Sequence, residues 1–216
     1  MKVILMGAGS LAISVADWFL NNDQFELVKI VPVIPEPTWK KSLVQWAQKN
    51  NVSYIKSGNY EDIQNVKDED WKMDLVFSVF YNKIIKDWFI QKCEKILNLH
   101  NGPLPKYRGV LPINWALKNN EKMHGVTIHE ITKGIDDGPI VAKLEYSIYP
   151  YFDEVENVYN RSLEYGWVLF KETMNVLYKI KPEPQDHSIS TYFSRKDDDL
   201  LGDRLSYNRN VDKNSK

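Results

Sequence analysis

The chain opens on a continuous apolar run, Val3-Ile4-Leu5-Met6, which stops at Gly7-Ala8-Gly9-Ser10 and passes into helical periodicity from Ile13 to Asn21. An apolar run without polar alternation suits a strand covered on both faces, and such strands belong to parallel sheets. Strand, glycine turn and helix form the first half of a βαβ unit. Its second strand falls over Phe25 to Ile34, and further apolar runs follow at Val52 to Ile55, Met73 to Phe80 and Lys95 to His100. Between them, helical patterns fall over Thr38 to Asn50 and Ile84 to Gln91, with a short helix or turn at Tyr60 to Val66. Strands alternating with helices predict an α/β fold with a mostly parallel sheet, in which ligands gather beyond the carboxyl ends of the strands.

After His100 the pattern changes. Pro112 to Asn119 suits a helix with proline in its first turn, where the missing N–H costs nothing. Gly125 to Ile131 and Ile140 to Ile148 alternate as strands around a turn, Thr132 to Pro139, too short for a crossover helix, so they are expected to extend the sheet antiparallel. Asp153 to Lys179 is the longest helical stripe, closed by Lys181-Pro182-Glu183-Pro184. Ile189 to Phe193 suits a short strand, and Asn208 to Lys216 a loose tail. The predicted organisation is one main domain over 1–150 and a C-terminal segment over 151–216.

Two classes of partner lose support from composition. Lys and Arg number 28 against 29 Asp and Glu, so no basic field recruits nucleic acid. No stretch approaches the roughly 20 apolar residues of a membrane span. Together with the interruption of the N-terminal apolar run at Gly7, this predicts a cytoplasmic protein. Cys93 is the single cysteine and the four histidines lack ligand spacing, so no metal site is expected.

The Gly7-Ala8-Gly9 turn allows two readings, a dinucleotide pyrophosphate cradle or close packing at the first turn. The first needs an acidic residue ending the second strand, and Glu36 stands late for that, after a proline.

The richest stretch is Ile96 to Gly109. Residues two apart on a strand share a face, so Asn98 and His100 project together. The loop behind them, Asn101-Gly102-Pro103-Leu104-Pro105-Lys106-Tyr107-Arg108-Gly109, is longer than a simple connection needs. Asp136 or Asp137, in the later turn, can supply a carboxylate. An imidazole steered by a carboxylate can hold a proton near neutral pH, and an asparagine amide can donate to an oxyanion. The alternative is a structural histidine with turn-capping aspartates.

Asn-x-His followed by Leu-Pro-Lys-Tyr-Arg-Gly, then Pro-x-x-Trp-Ala, Gly-Val-Thr-Ile-His and Gly-Ile-Asp-x-Gly-Pro-Ile, resembles the folate-dependent formyltransferase family, densely from Met73 to Ile148. The resemblance implies a Rossmann-like domain and transfer of a formyl group from 10-formyltetrahydrofolate to an amine. It carries the catalytic roles onto Asn98, His100 and Asp136. The folate-cradling stretches fall on Phe77, Val79, Phe80, Tyr81 and Ile84, and on Gly134 and Ile135.

Asn101-Gly102-Pro103 departs from the commoner proline and serine after the histidine, and the short C-terminal segment fits the sugar N-formyltransferase branch better than the methionyl-tRNA branch. That branch implies a nucleotide-linked amino sugar as acceptor, commonly dTDP-4-amino-4,6-dideoxyglucose used for O-antigen. It also implies a C-terminal β-hairpin beginning near Ser190 and a homodimer. Lys83, Asn101, Gly102, Arg108, Tyr192 and Arg195 are candidate acceptor contacts.

Overall fold

Val3, Leu5 and Met6 are wholly enclosed because β1 (Lys2–Gly7) runs between two parallel neighbours, β2 (Glu26–Pro32) and β3 (Met73–Val79). The computed structural model describes residues 1–204, which fall into two compact units. The first comprises Met1–Leu99 with Glu130–Lys133, and the second His100–His129 with the chain from Gly134 onward.

In the first unit β4 (Cys93–His100) pairs in parallel with β3 from Cys93 to Leu99, giving the order β2-β1-β3-β4. Helix α1 (Gly9–Leu20) buries Leu11, Ala12, Val15, Ala16 and Phe19 on one face, and the Phe19 ring meets the edges of Phe25 and Phe77. A second cluster gathers Tyr60, Phe89, Ile4, Val76 and Ile96.

Three expected elements come out shorter, each for a local reason. Helix α2 (Leu43–Lys49) starts later than Thr38 because Ser42 Oγ accepts from Gln45 N and the Glu36 carboxylate accepts from Leu43 N and Val44 N. Those groups satisfy donors a helix start leaves open. The strand expected over Val52 to Ile55 is reduced to a bridge between Ile30 and Tyr54. Helix α3 (Asp87–Ile90) cannot begin at Ile84, because the Tyr60 hydroxyl donates to the Ile84 carbonyl and accepts from Lys86 N, holding that stretch out of a helix.

The second unit contains β5 (Arg108–Gly109), α4 (Pro112–Lys118), most of β6 (Met123–Glu130), β7 (Ile140–Ser147), α5 (Val155–Val176) and β8 (Tyr192–Phe193). Strands β6 and β7 are antiparallel as expected. A capping box between Glu154 and Asn157 opens α5, and its last expected turn is the 3₁₀ segment Leu177–Lys179.

The C-terminal segment departs from the expected hairpin. Strand β8 pairs in parallel with β5, and the residues after it form the 3₁₀ stretch Arg195–Arg204. The cause lies in packing: Phe193 stacks on Trp115 with centroids 4.1 Å apart, which draws the strand onto β5 instead of onto its own continuation. The tail expected over Asn208 to Lys216 lies outside the described residues. Among the described residues, no helix is long and apolar enough to cross a membrane.

Candidate functional site

Strand β4 delivers Asn98 and His100, two residues apart and therefore on one face. Asn98 is half-buried in the first unit, paired in register with Ser78. His100 opens the second unit and is 7 % exposed.

Three groups of the second unit fix the His100 ring. Its Nε2 lies 2.8 Å from the Tyr107 carbonyl oxygen, and since a carbonyl only accepts, Nε2 carries the hydrogen. Its Nδ1 faces Asp136 Oδ2 at 3.5 Å. Gly102 lies against the ring: a Cβ there would stand 2.8 Å from Nε2 and 3.1 Å from Cδ2. The Asn101-Gly102-Pro103 sequence thus makes room for the imidazole.

Asp136 is the carboxylate that faces the imidazoles of His100 and His129. Oδ2 of Asp136 also accepts from Gly109 N at 2.9 Å, and Oδ1 faces His129 Nε2 at 3.4 Å. The residue holds φ of 50°, a left-handed backbone that needs outside support. Burial alone would raise the Asp136 pKa, but the imidazoles of His100 and His129 and the Gly109 N–H outweigh it and hold the carboxyl well below the usual range. Burial pushes the His100 pKa down, against the opposing pull of Asp136. At rest the pair is therefore a carboxylate and a neutral imidazole with a free lone pair at Nδ1. A proton arriving there meets the carboxylate, while Nε2–H stays on the carbonyl.

The remaining expected residues divide by exposure. Phe77 and Val79 are wholly buried; of the expected residues along that stretch, Phe80, Tyr81, Lys83 and the 73 % exposed Ile84 offer side chains to a ligand. Ile135 is 44 % exposed beside the exposed Gly134. Asn101 Oδ1 is buried with no hydrogen-bond partner among the described residues. Arg108 is inside the protein, its guanidinium donating to Gln185 Oε1 and approaching His187 Nδ1. Tyr192 is exposed, and Arg195 pairs at the surface with Asp198.

Sequence reading did not single out His129, Tyr107, Gln185 or Lys40. The alternation Thr127, His129 along β6 was the available signal for His129; a backbone carbonyl such as that of Tyr107 leaves none. Lys40 Nζ lies 4.6 Å from the Trp39 ring centroid and 5.2 Å from that of Phe80, and burial lowers its pKa to about 8. Glu36, weighed as a ribose ligand, caps α2 instead. A Cβ on Gly7 would stand 2.0 Å from the Val79 carbonyl oxygen, so that glycine serves the close approach of β1 to β3. No group of three or more metal-ligating side chains occurs among the described residues.

The family model described as formyl transferase matches residues 1–174. An N-formyltransferase from Helicobacter canadensis, solved with folinic acid and dTDP-3-aminofucose, is 29 % identical, with a TM-score of 0.78 over 91 % of this chain and 72 % of that one. WlaRD, a sugar 3N-formyltransferase solved with dTDP and 5-N-formyl-THF, is 28 % identical, with a TM-score of 0.77 over 91 % and 70 %. Methionyl-tRNA formyltransferase of Fervidobacterium nodosum is 29 % identical over 203 residues, 89 % of this chain, which spans 63 % of that protein's length.

Proposed function

The chain belongs to the formyl transferase family, and from that membership we propose that it moves a formyl group from 10-formyltetrahydrofolate to the amine of a nucleotide-linked amino sugar. The observation that carries the reading is the His100–Asp136 pair, in which the buried His100, two residues beyond Asn98, faces the carboxylate.

In the proposed reaction the sugar amine attacks the formyl carbon. The new C–N bond forms, the formyl oxygen gains negative charge, and the Asn98 amide donates to it. The attacking nitrogen becomes cationic and loses its proton to His100 Nδ1, where the Asp136 carboxylate stabilises the imidazolium. When the bond from carbon to N10 of the folate breaks, the departing nitrogen takes up the proton held by His100, tetrahydrofolate leaves and the imidazole is neutral again. In the second unit the exposed Gly134 and the water-exposed apolar side chain of Ile135 are of the chemistry a flat heteroaromatic ring would cover.

The acceptor proposed is a dTDP-linked aminodideoxyhexose. The two solved relatives support the 3-amino position, and the sequence resemblance supports dTDP-4-amino-4,6-dideoxyglucose. With that acceptor the protein would serve O-antigen or lipopolysaccharide synthesis in the cytoplasm, with residues 1–150 supplying the catalytic side chains and 151–216 supporting a homodimer. A second reading, formylation of methionyl-tRNA, has the support of the curated relatives by name.

One assay separates these. Tetrahydrofolate release from 10-formyltetrahydrofolate is measured against dTDP-linked 3-amino and 4-amino sugars, their UDP counterparts and methionyl-tRNA. Turnover with a dTDP sugar is expected; turnover with methionyl-tRNA alone would replace the proposal.

A further inference from the structure

A side chain beyond residue 174, where the family match ends, bonds to the backbone of the residue that carries the Asp136 carboxylate. Gln185 is 6 % exposed, and all its hydrogen-bonding capacity is used. Its Nε2 donates to the carbonyls of Asp136 at 2.9 Å and Gly138 at 2.7 Å, the first belonging to the residue that carries the carboxylate and the second two residues on. Its Oε1 accepts from Arg108 Nε at 3.0 Å and Nη2 at 2.6 Å. Arg108 adjoins Gly109, whose N–H reaches Asp136 Oδ2. A loop is closed: carboxylate to Gly109, through Arg108 to Gln185, and back to the backbone of Asp136.

The same segment also braces the support of His100. Thr191 accepts through its hydroxyl from Tyr107 N at 2.7 Å and through its carbonyl from Arg108 N at 2.9 Å. The Phe193 carbonyl accepts from Val110 N, and Glu183 exchanges both backbone bonds with Ile140. The Phe193 ring lies parallel to Trp115 at 4.1 Å and to Tyr107 at 5.9 Å. Tyr107 and Asp136 both have left-handed backbones, at φ of 62° and 50°, and this segment bonds to the peptide groups of each.

We propose that Gln185 is a positioning residue for the reaction, setting the Asp136 carboxylate opposite His100 through the carbonyls of Asp136 and Gly138. It touches neither donor nor acceptor in this role. The C-terminal segment thereby belongs to the machinery and is not merely an appendage to it. The inference rests on reading His100 and Asp136 as the proton-handling pair.

The test uses the full 216-residue chain and two variants. Gln185→Met keeps the volume and removes every polar contact; Gln185→Glu keeps an acceptor for Arg108 and removes the two donors. The His100 imidazole is titrated by ¹⁵N NMR in the free protein, and formyl transfer is measured in parallel. In Gln185→Met the His100 titration is expected to move toward lower pH, as in Asp136→Asn, and no further in the double variant Gln185→Met/Asp136→Asn. In both Gln185 variants kcat should fall about 10-fold or more with the folate KM within about twofold, since small misplacements of a catalytic group have such effects. His100 titrations and kcat equal to wild type in both variants would overturn the proposal, as would an additive double variant. Should one variant fail to fold, the other decides by kcat. Absence of formyl transfer by the wild-type chain would end the proposed reaction, while the titration would still decide the role of Gln185.

Discussion

Gly102 lies directly against the His100 imidazole, so close that a methyl group on it would stand 2.8 Å from Nε2, the atom that donates to the Tyr107 carbonyl. The far side of that position is also closed, with Pro112 Cβ 3.2 Å from the same point. A side chain at 102 therefore has to displace the ring. The missing side chain is what lets one nitrogen of His100 rest on backbone while the other looks at Asp136.

Gly102→Ala should accordingly lower turnover far more than it lowers stability. Loss of the Nε2 bond frees the ring to rotate, and a misdirected base costs on the order of 10- to 100-fold in kcat. The check is kcat beside the thermal midpoint. A variant with wild-type turnover would show that the ring has another way to be held.

Asn98→Ala is expected to reduce kcat by about 100- to 1000-fold, the usual cost of losing one oxyanion donor. The folate KM should change little, because the contact strengthens only as charge develops. Near-normal turnover would remove Asn98 from the oxyanion role.

His100→Ala and Asp136→Asn should be strongly non-additive. The carboxylate acts on the reaction through the imidazole it faces, so with either gone the other has nothing to act on. A double variant scarcely worse than His100→Ala is the expected result of the kinetic cycle. Additive losses would mean that Asp136 works independently of His100.

How much of this could be seen in the chain itself depends on the range over which each feature is determined. Continuous apolar runs placed β1, β3 and β4, and the two-residue period placed Asn98 and His100 on one face, because those signals are local. Asp136 was narrowed to two neighbours by chemistry and chosen by the family resemblance. Helices α2 and α3 are shorter than their periodicity predicts because the side chains of Glu36, just ahead of α2, and of Tyr60, distant in sequence from α3, settle where those helices start. Gln185 and Thr191 escaped notice for a further reason. Each bonds to backbone, and a backbone group leaves no trace in the residue that carries it.

The second unit also holds a histidine whose effect should be on acid stability. His124 is wholly buried; its Nε2 lies 3.0 Å from the Asn101 carbonyl oxygen, and its Nδ1 has no partner among the described residues. Burial lowers its pKa from 6.5 to about 4. Above pH 6.5 the residue is neutral in both folded and unfolded chains and contributes no slope. Between pH 6.5 and about 4 the unfolded chain binds a proton that the folded one refuses, so stability falls as pH falls. Going from pH 7.5 to pH 5, this one group should remove about 2 kcal/mol. The depressed His100 acts in the same direction below 6.5, whereas Asp136, with a folded pKa below 3.8, gives up its contribution only at more acid pH. Urea unfolding of wild type and His124→Gln at pH 7.5 and pH 5 therefore isolates the effect. The variant, which keeps a donor for the Asn101 carbonyl but cannot ionise, should lose about 2 kcal/mol less than wild type over that interval. Parallel losses in the two proteins would mean that His124 takes up its proton without leaving the folded state.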